Sequence, residues 1–151
     1  MRLYLVQHGE AKSEAEDPER SLTLRGEEET RKISAAARKL AIRPVRIYHS
    51  GKKRARQTAG IIAVAIDLTS QVGQGLNPND DVRPWAERVS GETEDLMIVG
   101  HLPFLEKLAS FLVSGDEAAK VVMFRYSGIV CLEKEESGRW AVDRMIKPDN
   151  I

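Results

Sequence analysis

The sequence predicts an α/β fold: a three-layer α/β/α sandwich around a mostly parallel sheet, with an antiparallel hairpin at its C-terminal end. Two observations carry this. Over the first two thirds, short apolar runs alternate with one-sided helical stripes, as right-handed βαβ connections require. The last third changes character and holds strand-like runs, two of them joined by a turn. With 151 residues, 42% of them apolar and 30% charged, the chain can bury one full core and is expected to form a single domain over 1–151.

The elements follow in order. Leu3-Tyr4-Leu5-Val6-Gln7-His8-Gly9-Glu10 reads as a buried strand ending on a histidine, next to a glycine with no Cβ to obstruct a ligand. Ala11 to Ser21 is polar, carries Pro18 and reads as loop. Thr23-Leu24-Arg25-Gly26-Glu27-Glu28-Glu29 opens a helix, with Thr23 as cap and glutamates complementing the helix dipole. Ile33, Ala36, Ala37, Leu40 and Ala41 continue it as an apolar stripe that Pro44 stops. Val45 to Tyr48 is a second strand, and Ser50-Gly51 starts a helix burying Ala55, Ala59, Ile62, Ala63 and Ile66. Leu68 to Pro84 is loop-like, and Trp85 to Val89 is a short helical piece. Strand 96–100 runs into His101, and Pro103 stands near the start of a helix carrying Leu105, Leu108, Ala109 and Leu112, closed by Ser114-Gly115. Lys120 to Phe124, Gly128 to Glu133 and Trp140 to Ile146 are strand-like, the last two joined by a turn at Glu135-Glu136-Ser137-Gly138. The single cysteine, Cys131, suits the core, while Trp85 and Trp140 suit core or surface equally.

Composition narrows the function. Twenty-three basic residues balance twenty-three acidic ones, so no net field recruits nucleic acid or an acidic membrane. No run of eighteen apolar residues offers a membrane span, and the N-terminus enters a strand without a signal-peptide layout, so a cytoplasmic location is expected. All three histidines, His8, His49 and His101, fall at the carboxyl ends of predicted strands, where open α/β sheets bind ligands. The N-terminus of the helix after His49 carries Lys52, Lys53, Arg54 and Arg56. Cations there oppose the helix dipole, so they mark either an anion site or a solvated basic turn. Arg54 flanks the buried alanine face and carries the fork that fits phosphate oxygens.

Two imidazoles beside a phosphate site suit phosphoryl transfer. One is a nucleophile that needs no separate base near pH 7, and the other donates to the equatorial oxygens. The histidines lack zinc-ligand spacing, and neither a Walker-type nor a dinucleotide glycine loop occurs, so no metal or other cofactor is expected.

These residues resemble the histidine phosphatase superfamily, and within it the short SixA-type phosphohistidine phosphatases. The resemblance runs nearly end to end. Leu5 to Ala11 is similar to the opening motif, Arg20 to Gly26 to the segment entering the first helix, Ser50 to Thr58 to a Ser-x-x-x-Arg-Ala-x-Gln-Thr pattern, and Val99 to Pro103 to the second histidine motif. It implies a phosphoglycerate mutase-like fold, His8 as phosphorylated nucleophile, His101 as electrostatic partner and Arg54 as phosphate ligand, with Gln7, Gly9, Ser50 and Arg20 also contributing to substrate binding. Gln7 departs from the motif, which has arginine there. Arg20, Lys12 or Arg125 can supply the missing charge, and Arg20 is the preferred one. Asp80 or Asp81 either protonates an alcohol leaving group or belongs to a solvated loop. The implied substrate is a phosphohistidine on another protein, or else a small phosphorylated molecule; a binding module without turnover is the rival reading.

Overall fold

The computed structural model describes residues 1–151. Six strands and four α-helices follow in chain order: β1 (Arg2–Gln7), α1 (Leu24–Lys39), β2 (Arg46–His49), α2 (Lys53–Ala65), β3 (Ser70–Val72), α3 (Arg83–Ser90), β4 (Leu96–Gly100), α4 (Phe104–Ser114), β5 (Ile129–Lys134) and β6 (Trp140–Ile146), before a short 3-10 turn at Pro148–Asn150. The sheet order is β3-β2-β4-β1-β5-β6. Strands β1 to β4 run parallel, while β5 is antiparallel to both neighbours and forms the C-terminal hairpin with β6.

Side-chain alternation along the strands separates two cores. Leu3, Leu5, Leu96 and Ile98 face α3 and α4, joining Trp85, Val89, Leu105 and Leu108. Tyr4, Val6, Met97 and Val99 face α1 and α2, joining Ile33, Ala37, Ala59 and Ile62. Trp85 and Trp140 are both buried in the first core, and Cys131 in the second, where burial pushes its thiol up to about 12. No helix is long and apolar enough to cross a membrane.

Local chemistry sets the element ends. Thr23 accepts a hydrogen bond from the Gly26 amide at 3.0 Å as the α1 cap, and Gly115 ends α4 in the left-handed region at φ 78°. The hairpin turn closes with the Gly138 amide on the Glu135 carbonyl at 2.8 Å. The five α2 positions expected to be buried are buried.

Four expectations are corrected. The Lys120–Phe124 run is not a strand: Val121, Val122 and Phe124 are drawn as a loop onto the first core. The Leu68–Pro84 stretch contains β3, a three-residue edge strand held by β2. On α1 the buried face is Gly26, Thr30, Ile33, Ser34 and Ala37, whereas Leu40 is exposed beyond the helix end. Thr30 and Ser34 occupy core positions because each hydroxyl donates to a carbonyl one turn back, at 2.7 Å in both cases. That α1 ends at Lys39, ahead of Pro44, follows from Ala41 adopting φ 56°.

Candidate active site

Parallel neighbours β1, β4 and β2 deliver His8, His101 and His49 to one edge of the sheet. His8 leaves β1 with its amide still donating to the Gly100 carbonyl at 2.9 Å, which ties the ends of β1 and β4 together. The His8 and His101 rings consequently lie 5.1 Å apart between centroids. His49 is not part of this pair. It is buried and accepts the Gly51 amide at 3.0 Å, bracing the turn into α2.

The glycines and the Arg-Ala-x-Gln-Thr pattern have packing reasons. A Cβ on Gly9 would meet Thr30 Oγ1 at 2.9 Å and Ser127 Oγ at 3.0 Å, and one on Gly26 would meet the Glu10 carbonyl oxygen at 2.2 Å. The first turn of α1 is therefore pressed against the loop that follows His8. From α2, Thr58 Oγ1 accepts the Gly9 amide at 2.9 Å while donating to the Arg54 carbonyl at 2.8 Å, and Gln57 Oε1 accepts the Leu22 amide at 2.8 Å. One helix end thus locks both the loop after His8 and the segment after Arg20.

The protonation states follow from burial and charge. His8 Nδ1 lies 2.7 Å from the Gly9 carbonyl, which can only accept, so Nδ1 carries the proton and Nε2 keeps its lone pair. Burial, with Arg54 and Arg20 nearby, lowers the His8 pKa to about 4, and the ring is neutral at pH 7. Burial first, then His8, Arg54, Lys52 and Arg20, lowers His101 to about 3. His101 Nε2 meets Ser50 Oγ at 2.6 Å, and the Lys52 amide donates to that same hydroxyl at 3.3 Å. With the Ser50 hydroxyl donating its hydrogen bond to Nε2, the proton of the neutral His101 ring sits on Nδ1, which is a donor. That nitrogen is buried without a partner, as is Nε of Arg54. Two unpaired buried groups beside a lone-pair nitrogen make a cradle for an anion.

The other site residues divide. Arg20 takes φ 52°, its Nε donates to the Lys12 carbonyl at 3.0 Å, and its charge reaches His8, Arg54 and His101. Gln7 is buried at the strand end, where its carbonyl accepts the Ser127 amide at 2.9 Å. Arg125 is corrected: its guanidinium pairs with Glu29 at 2.8 Å and Asp149 at 3.1 Å, so it is not spare charge for the site. No hydrogen bond or ion pair engages the Lys12 side chain; its backbone instead holds Arg20 and Ser21. Asp80 accepts the Asn77 amide at 2.9 Å and Asp81 the Arg83 amide at 3.0 Å, so both carboxylates shape the turn before α3.

Tyr126 escaped the sequence reading. Its ring lies 5.7 Å from that of His8, on a loop fixed by Ser127 at φ 63° and by the Ser127–Thr30 hydroxyl pair at 2.8 Å. Only its place in space marks it. Beside Arg54 a polar cavity of about 370 Å³ opens, lined by Arg20, Lys52, Lys53, Arg54 and Arg56 with Glu14 and Glu19. A larger groove of about 740 Å³ runs between α1 and α2, away from the histidines.

Comparisons with known proteins bear on the family and the fold. Residues 3–80 match the family described as the histidine phosphatase superfamily, branch 1. An uncharacterized protein of Picosynechococcus sp. is 36% identical over 124 residues, spanning 77% of this chain and 75% of its own. The solved structure of the protein histidine phosphatase SixA, in complex with tungstate, superposes with a TM-score of 0.86 at 25% identity, covering 99% of both chains. The alpha-ribazole phosphatase of Shigella flexneri shares the fold, with a TM-score of 0.81 at 14% identity over 98% of this chain and 97% of its own.

Proposed function

The chain belongs to the histidine phosphatase superfamily (branch 1), and on that premise we propose that it removes the phosphoryl group from phosphohistidine on another protein, by way of a phosphorylated His8. The observation that carries this reading is a neutral His8 with Nδ1 committed to Gly9 and Nε2 free, set 5.1 Å from a second buried imidazole. The likeness to SixA, a protein histidine phosphatase, supports the substrate class. The proposed unit is one domain over residues 1–151, acting in the cytoplasm.

In the first step the Nε2 lone pair of His8 forms a bond to phosphorus as the substrate's P–N bond breaks. A phosphohistidine protonated on its other nitrogen departs as neutral imidazole and needs no protein acid. Arg54, Arg20 and the Nδ1–H of His101 hold the equatorial oxygens, where charge is spread in a loose transition state. Gly9 acts by holding Nδ1 of His8 through its carbonyl, and Ser50 by orienting His101. Water then attacks phosphorus, the P–Nε2 bond breaks, and His8 returns to its neutral form while the water's proton leaves with phosphate. An alcohol leaving group would forfeit about 10²–10⁴-fold without an acid, and Asp80 and Asp81 are both occupied with local amides.

Trapping tests the nucleophile. A phosphoramidate donor is expected to leave an acid-labile, base-stable label on the wild type and none on His8→Ala. Label that survives the substitution rejects the assignment.

Gln7 favours a second reading, a phosphoprotein-binding module that holds the anion without turning it over. Exchanging a charge-assisted bond for a neutral one costs on the order of 1.5–3 kcal/mol, about tenfold to a hundredfold in rate. In an enzyme with Arg20 in support, Gln7→Arg therefore changes kcat by no more than about a hundredfold. Activity that rises from undetectable to strong in that variant identifies the module.

A further inference from the structure

The polar cavity beside Arg54 holds more positive charge than one phosphoryl group needs. Five cations line it against two acids. Lys53 is neutralised by Glu19 at 2.9 Å, and Glu14 lies in the field of Arg54. Arg20 and Arg54 act on both His8 and His101 and are half-buried. Lys52 and Arg56 are the exposed cations of the five, and neither is in an ion pair, although the charge of Lys52 also reaches His101.

They are placed together at a cost. The Arg56 amide donates to the Lys52 carbonyl at 2.9 Å, so Lys52, the N-cap residue, and Arg56 stand four residues apart at the start of α2. Like charges at that spacing repel, and cations there oppose the helix dipole. No acidic residue occupies this turn, and no side chain caps it. The cradle next to it carries the unpaired buried groups, His101 Nδ1 and Arg54 Nε, so the extra charge adjoins a built anion site rather than open surface.

We propose that Lys52 and Arg56 form a second anion subsite, which binds an acidic side chain flanking the phosphorylated residue, so that the substrate is a phosphohistidine within an acidic stretch of polypeptide. This rests on the function proposed above. Exposed single ion pairs contribute modestly, so two of them are expected to give about a three- to tenfold preference.

The experiment measures binding, using two peptides that carry a non-hydrolysable triazole analogue of phosphohistidine. One is flanked by glutamates and the other by glutamines. The wild type is expected to bind the acidic peptide about three- to tenfold more tightly. In the Lys52→Gln/Arg56→Gln double variant that ratio is expected to fall to near one. Arg31→Gln, on α1, is expected to leave it unchanged. Equal binding of both peptides by the wild type overturns the proposal, as does a ratio that survives in the double variant. A ratio lowered equally by Arg31→Gln also overturns it, since the general field would then be responsible. Because only binding is read, a chain that hydrolyses no phosphohistidine would defeat the preceding functional reading and still leave this measurement decisive.

Discussion

His8 and His101 titrate near pH 4 and pH 3, well below the ordinary value of 6.5, chiefly because burial penalises the charged ring. This depression ties the chemistry to acid stability. Between pH 6.5 and the folded values the unfolded chain binds protons that the native site refuses, so stability is intact above pH 6.5 and falls as pH drops through this window. Urea denaturation is expected to show the midpoint declining from pH 6.5 to 4.5, and His8→Gln/His101→Gln is expected to flatten that decline. A double variant with a curve parallel to the wild type would contradict the account. At this scale the placing of the candidate residues was largely legible. His8, Arg54 and His101 each stand where a local signal, a strand end or helix start, meets an ion-binding side chain. Tyr126 was not legible, because its loop reaches His8 across more than a hundred residues of chain.

At the scale of elements, two glycines in helices make opposite cases. Gly26 abuts the Glu10 backbone, where an added Cβ would sit 2.2 Å from the carbonyl oxygen, whereas nothing lies within 4 Å of the corresponding position on Gly60. Gly26→Ala is expected to cost about 1–3 kcal/mol in chemical denaturation, and to lower activity by moving the loop behind His8. Gly60→Ala is expected to gain about 0.5–1 kcal/mol, from reduced backbone entropy in the unfolded chain, with activity unchanged. Equal effects of the two substitutions would refute the packing argument. The α1 stripe shows why helix faces are only partly readable. Periodicity located the helix, but the core accepted Thr30 and Ser34 because their hydroxyls found partners within the helix itself. Likewise the apolar pattern of Lys120 to Phe124 suits a strand, yet Val121, Val122 and Phe124 pack as a loop onto the first core.

For the molecule as a whole, β1 is the decisive strand, since it lies between β4 and β5 and faces a core on each side. Leu5, fully buried on the α3–α4 side, packs two residues before Gln7. Leu5→Ala is expected to destabilise by about 2–5 kcal/mol, with activity and ellipticity lost at the same denaturant concentration. Activity lost well before ellipticity would show instead that the site yields separately from the sheet. From the sequence alone came the alternation of strands and helices, the hairpin, and the placing of three histidines at strand ends, because each of these is written in local periodicity and turn chemistry. Only the tertiary structure decided which of those histidines meet. Strand β4 inserts between β2 and β1, bringing His101 to His8 while the turn into α2 claims His49, and a strand's neighbour is chosen by packing on both faces rather than by anything its own residues spell out.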